Sequence, residues 1–167
     1  MGGTALRFRA EHRFSAEPGQ VAAVLVDPGF YRDLVLPDVG PPDVLAVDDD
    51  PARPRTVRLR YVFVGQLDGL AKRLLGGRQL AWVQQVQLDT SGHTGTLSFE
   101  AQADPRRLHG SARFTLTPDA EATVRRIEGE LVVAVPGVGA MAERRIVPGL
   151  LRRLDIEAQA LDARLAS

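Results

Sequence analysis

The sequence predicts an α+β fold: a curved antiparallel sheet of about seven strands wrapped around a long C-terminal helix, with two short helices after strand 1. Three observations predict it. Apolar and polar residues alternate with period two in segments separated by short turn sequences, the pattern of hairpin-connected strands with one buried face. The helical signals are segregated from these segments and the βαβ rhythm of a parallel sheet is missing, so the sheet is antiparallel and the class α+β. Finally, Val147, Leu150, Leu151, Leu154, Leu161 and Leu165 form one apolar stripe at helical period, with Arg144, Arg152, Asp155, Gln159 and Asp162 on the far side.

The elements follow in order. Leu6 to Phe14 is a strand with Leu6, Phe8, Ala10, His12 and Phe14 on one face. Ser15-Ala16-Glu17-Pro18 starts a helix, because proline is tolerated in a first turn, and Asp27-Pro28 starts a second that carries Phe30, Tyr31 and Leu34. A loop at 37–42 leads to a short strand at Val44 to Val47, then a turn at Asp48-Asp49-Asp50-Pro51. Val57 to Val64 is a strand with Val57, Leu59, Tyr61 and Phe63 inward. Leu67 to Leu75 reads as a short helix closed by Gly76-Gly77. Strands at Leu80 to Leu88, Thr96 to Ala103 and Leu108 to Thr117 are joined through Thr90-Ser91-Gly92 and Asp104-Pro105, and a turn at Pro118-Asp119 follows. A last strand runs from Thr123 to Val135, where a bulge would shift the register. The final helix spans Met141 to Leu165, with Pro148 as a kink or restart.

Composition narrows the function. The 167 residues suit one domain, 1–167, with one core. Lys+Arg and Asp+Glu both number 21, so the chain has no broad basic surface for nucleic acid or anionic membrane. There is no cysteine, which excludes disulfides, thiol catalysis and cysteine-ligated metals. Met1 to Leu6 lacks the features of a secretory signal, and the longest apolar stretch, Leu131 to Ala142, is broken by Pro136, Gly137 and Gly139. A cytoplasmic protein without an integral membrane segment is the expectation, and the oligomeric state stays open.

The faces of the sheet supply candidate site residues. Tyr61, Phe63, Trp82, Gln84, Val86, Leu97, Phe99, Phe114 and Leu131 share the inner face, and Leu150 and Leu154 face them from the helix. Tyr61, Trp82 and Gln84 would orient a ligand and the others would bury it. His12 shares the inward parity and Glu157 sits at the edge of the helix stripe, so both are candidate polar pocket groups. A buried polar side chain needs a partner, and an apolar pocket with a few convergent polar groups is the usual form of a small-molecule site. The bland reading, that these groups pair with each other or sit at the rim, stays beside it.

The segment Phe14 to Tyr31, FSAEPGQVAAVLVDPGFY, resembles the opening of START-like (SRPBCC) helix-grip proteins, where a strand runs into a small-residue helix and an Asp-Pro-x-x-Tyr step. The element order matches over nearly the whole chain, most closely a bacterial branch described only as a domain of unknown function. The resemblance implies a seven-stranded antiparallel sheet gripping the C-terminal helix over a hydrophobic cavity. Members include lipid-transfer domains, polyketide aromatases and cyclases, hormone receptors and ubiquinone-binding proteins. No catalytic motif of these subfamilies is matched residue by residue, so only the cavity carries over.

Other chemistry is thinly represented. His12, His93 and His109 are the only histidines and lack metal spacing, so no metal or cofactor is expected. Gly137-x-Gly139 is a fragment of a dinucleotide fingerprint without its βαβ context. Arg106-Arg107, Arg125-Arg126, Arg144-Arg145 and Arg152-Arg153 read as solvated faces balanced by acids. The leading reading is a carrier or sensor of a hydrophobic small molecule (lipid, isoprenoid or polyketide-like), with gates at 66–77 and 136–140. A cyclase- or dehydratase-type enzyme using His12, Tyr61 or Glu157, and a cavity-less protein-interaction domain, are the alternatives.

Overall fold

The structure is a computed structural model that describes residues 4–66, 78–134, 137 and 142–167. Seven strands form one antiparallel sheet: β1 (Thr4–Phe14), β2 (Asp43–Asp48), β3 (Arg55–Val62), β4 (Ala81–Leu88), β5 (Thr94–Ala101), β6 (Leu108–Asp119) and β7 (Ala122–Val133), in the order β1-β7-β6-β5-β4-β3-β2. Helices α1 (Pro18–Leu25) and α2 (Pro28–Asp33) follow β1, and α3 (Val147–Ala166) covers one face of the sheet, packing against β1 and α1.

Local chemistry sets the helix ends. Glu17 and Gln20 form a capping box around the start of α1, with Pro18 in the first turn. Asp27 caps α2 by accepting from the Gly29 amide at 2.9 Å, and the same carboxylate pairs with Arg164 of α3 at 3.0 Å. Tyr31, fully buried, donates its hydroxyl to the Leu25 carbonyl at 2.7 Å and locks the two short helices together. The Ser15 amide donates to Asp162, a second tie between this corner and α3.

A π-helical turn, Ala142–Ile146, runs directly into α3, and Pro148 lies in the first turn of the α-helix. Proline has no amide hydrogen to donate back along a helix, so the wider turn precedes it and regular α-helix restarts there. Leu154, Glu157, Ala158 and Leu161 are the buried residues of α3. No helix among the described residues is long and apolar enough to cross a membrane.

Several sequence expectations are corrected. Phe63 lies beyond β3, half-buried, in an isolated bridge with Val39. β6 runs through Pro118 to Asp119 and turns at Ala120-Glu121, with Ala120 at φ 56°. Pairing of β5 with β6 stops at Thr115, so the missing amide of Pro118 faces no strand on that side. β7 keeps an unbroken register with β6; the irregularity falls in β2, between Val44 and Ala46. The helix expected at Leu67 to Leu75, and the start of the last helix at Met141, lie outside the described residues.

Glycines on the inner face make room for rings. Gly95 stands opposite Phe114 and Gly110 opposite Phe99, and a Cβ at either would run into that ring. Gly129 pairs with Phe8 on one side and Ala112 on the other. A Cβ there would meet the Ala112 side chain at 2.5 Å and also the Ser111 backbone oxygen. Gly129→Ala should therefore lower stability by about 1–3 kcal/mol, the usual cost of overpacking. Chemical denaturation with unchanged midpoint and slope would contradict this account.

Candidate functional site

The inner face carries a polar seam through an apolar core. Arg125 of β7 is 2% exposed and Glu157 of α3 is 5% exposed. The Arg125 Nη1 donates to Glu157 Oε1 at 2.9 Å, while its Nη2 donates to His12 Nδ1 at 3.1 Å. His12 and Arg125 stand directly opposite each other in the β1–β7 register. An arginine can only donate, so Nδ1 of His12 is the acceptor and its ring proton sits on Nε2. Nε2 in turn donates to Asp155 Oδ1 at 2.9 Å. The imidazole is thereby held neutral. Its pKa lies below the ordinary 6.5 because of burial first and the Arg125 charge second, with Asp155 and Glu157 opposing.

One helical turn before Glu157, Arg153 reaches the other half of the sheet. Its Nη2 donates to Gln84 Oε1 at 2.8 Å. Its guanidinium lies 4.3 Å from the centroid of the Tyr61 ring and 5.4 Å from that of Trp82. Tyr61 and Trp82 are cross-strand partners and stack with centroids 5.8 Å apart. Burial, against the opposing pull of Arg153, pushes the Tyr61 phenol up to about 12, so it is a neutral donor at physiological pH. Burial also lowers the pKa of Arg153 from its usual value, with the neighbouring tyrosines and Glu157 opposing.

Three buried side-chain atoms on this seam have no hydrogen-bond partner among the described residues: Tyr61 Oη, Gln84 Nε2 and Arg125 Nε. Two are donors only and the hydroxyl donates as well as accepts. Leaving such a group unpaired costs about 1–3 kcal/mol, so orphans in a native interior call for an explanation.

Most residues expected in the pocket lie where the sequence put them. Tyr61, Gln84, Val86, Leu97, Phe114, Leu131 and Leu154 are buried on the inner face or on α3; Trp82, Phe99 and Leu150 are partly buried against the same core. Phe63 is the departure. His12 and Glu157 do converge, and Arg125 is what joins them. Arg125 and Arg153 were expected on solvated faces, and the structure overturns this. The parity of Thr123, Arg125 and Ile127 put Arg125 inward, and the spacing of Arg153 to Glu157 put both on one helix face. Most of the gate segments 66–77 and 136–140 falls outside the described residues. Among the described residues no group of three or more His, Cys, Asp or Glu side chains is placed to hold a metal ion.

An open depression of about 390 Å³ lies on the opposite, outer face, lined by Arg58, Gln85, Ser98, Glu100, Arg106 and His109 among others. Its arginines already have local partners, Arg58 with Gln85 and Glu100, and Arg106 with Asp104. The unpaired donors are on the inner face.

Residues 9–165 match the family described as protein of unknown function (DUF2505), and the chain belongs to that family. No curated protein matches the sequence. Solved structures show a START-like (SRPBCC) helix-grip fold. The chain is similar to TTHA0849 from Thermus thermophilus, with 16% identity over 96% of this chain and 97% of that one, TM-score 0.67. It is similar to the Zhui aromatase/cyclase from a Streptomyces species, with 17% identity over 96% and 93%, TM-score 0.64. It is also similar to norcoclaurine synthase from Thalictrum flavum, in complex with dopamine and hydroxybenzaldehyde, with 14% identity over 99% and 88%, TM-score 0.67.

The seam makes both its ion pair and its histidine testable. Glu157→Gln leaves Arg125 buried without its counter-charge and should cost about 3–5 kcal/mol, whereas Arg125→Met with Glu157→Leu should recover most of that loss. Urea denaturation of both variants checks it; a single variant as stable as the parent would refute the pairing. The histidine is tested through pH. A histidine whose folded pKa is below its unfolded 6.5 binds more protons when unfolded. Its stabilising contribution is present above 6.5 and is lost as pH falls from there towards the folded value. The stability difference between the parent and His12→Asn should therefore shrink below that pH. Parallel stability–pH curves for the two proteins would contradict the assignment.

Proposed function

We propose that the chain, as one unit spanning 1–167, binds a hydrophobic small molecule between the sheet and α3, and so carries or senses a lipid, isoprenoid or polyketide-like compound. The observation that carries this reading is the set of unpaired buried donors, Tyr61 Oη, Gln84 Nε2 and Arg125 Nε, on a face that is otherwise apolar. A few polar groups within an apolar lining are what orients a small molecule, while burial of apolar area supplies its affinity at about 25 cal/mol per Å². Trp82, Phe99 and Leu150 are among the partly buried hydrophobics packed against this core. Norcoclaurine synthase supports the reading, since a protein of this fold accommodates small organic molecules.

An enzyme of the cyclase or dehydratase type is the less favoured alternative. The lone pair of His12 is taken by Arg125 and its proton by Asp155; Glu157 is held by Arg125; Tyr61 is a neutral phenol. None of the three stands ready to take a proton.

The test uses the neutral probe N-phenyl-1-naphthylamine, whose emission rises in an apolar site, and native mass spectrometry of the protein purified from cells. The probe should bind saturably, and Trp82→Ala should weaken it by about fivefold or more, as loss of a large aromatic contact does. A bound mass released by organic extraction would name the ligand class. Absence of saturable probe binding would refute the reading.

A further inference from the structure

We propose that the ligand is a hydrophobic carboxylic acid and that Arg153 is the residue that selects its carboxylate. The inference deepens the binding reading above and rests on it.

Neither charge nor hydrogen-bond donors balance within the seam. The Arg125 and Arg153 guanidiniums face one buried carboxylate, Glu157, and Arg125 already holds that carboxylate. The Asp155 side chain is 64% exposed and accepts from His12. His12 is neutral. Arg153 therefore has no carboxylate within salt-bridge distance among the described residues. Its partners are neutral: it donates to Gln84, its charge also acts on the Tyr61 hydroxyl, and the faces of Tyr61 and Trp82 cover it. A guanidinium carries five N–H donors; Arg153 is half-buried and none of its nitrogens is sealed off unpaired, so the donors not given to Gln84 are open to a ligand. The same glutamine accepts from Arg153 through Oε1, which leaves Nε2 as a free buried donor beside it.

Arg153 is half-buried against the apolar face, and a partly desolvated positive charge without a counter-ion favours an anionic partner. With the exposed Asp155 set apart, the inner part of the seam is one positive charge in excess, and its spare groups are donors. Its complement is a group with one negative charge and acceptor oxygens only. A carboxylate meets both requirements, and its two coplanar oxygens match the arginine fork. A phosphate monoester carries about two charges and would overshoot. An alcohol or ester would satisfy donors while leaving the charge unbalanced. The surrounding face, with Trp82, Val86, Leu97 and Phe99, is apolar, so the acid is one with a hydrophobic body.

The experiment displaces N-phenyl-1-naphthylamine with dodecanoate and with dodecan-1-ol, which share a chain and differ in the head group. Emission of Trp82, the only tryptophan, gives a second readout beside Arg153. Dodecanoate should bind about tenfold tighter than the alcohol, the scale of a charge-assisted hydrogen bond in a dry site. Arg153→Gln should abolish that preference by weakening dodecanoate alone, Arg153→Lys should restore part of it, and Arg152→Gln, at an exposed neighbour, should leave it intact. Equal affinity for acid and alcohol in the parent, or displacement by neither, overturns the carboxylate inference while probe binding upholds the binding reading. A preference that survives Arg153→Gln overturns the role of Arg153. No saturable probe binding overturns both.

Discussion

The ion pair between Arg125 and Glu157 is the constraint on which the interior depends. Each charge alone would be too costly to bury; together, at 2.9 Å and almost wholly out of water, they are tolerable only in one geometry. That requirement fixes the axial position and rotation of α3 against β7. A shift by one residue would turn Glu157 away from Arg125 and leave two uncompensated charges. Apolar packing of Leu154 and Leu161 fills the space but is less exacting, because hydrophobic contacts are non-directional.

Once Glu157 is fixed, the rest of α3 follows from helical spacing. Arg153, one turn earlier, must emerge over the β3–β4 half of the sheet, where Tyr61, Trp82 and Gln84 meet it. Asp155 falls at the rim beside β1 and takes the His12 proton. Arg164, further along, reaches Asp27 and Asp33 and anchors the helix pair that follows β1. One helix thus reaches both halves of a sheet whose edge strands, β1 and β2, do not pair with each other. Charge and hydrogen bonding set its register, and the apolar side chains on either side of the seam keep it dry.

Much of this was legible in the sequence. Period-two alternation located the strands other than β2, which shows no alternation, and the Asp-Pro and Glu-Pro signals located α2 and α1, because these patterns are local. Parity also put Tyr61, Gln84, Val86, Leu97 and Phe114 on the inner face. The reading failed where side-chain chemistry and backbone parity disagree. Arg125 has inward parity, yet an arginine beside Arg126 and among acids reads as solvated. Its burial depends on a carboxylate 32 positions further along the chain, and no local pattern reveals that pairing. Arg153 went the same way. Glu157 was half found, since it interrupts an apolar stripe. Pro118 was misread as a turn because its tolerance in β6 depends on where β5 ends.

The fold is shared at 14–17% identity with proteins as different as an aromatase/cyclase and norcoclaurine synthase, so the architecture alone does not select a chemistry. What is particular to this chain lies in which inner positions are charged. An apolar interior would close around a greasy molecule of almost any kind. The seam does not: it fixes a neutral imidazole at one end, an ion pair in the middle, and an arginine without an acid at the other. Arg153 is offset only by neutral groups, the Gln84 amide and the Tyr61 and Trp82 rings, and Gln84 Nε2 has no partner among the described residues. A half-buried arginine without an acid, beside stacked aromatics and an unpaired buried amide donor on an otherwise apolar face, is the arrangement on which the proposed carboxylate site rests.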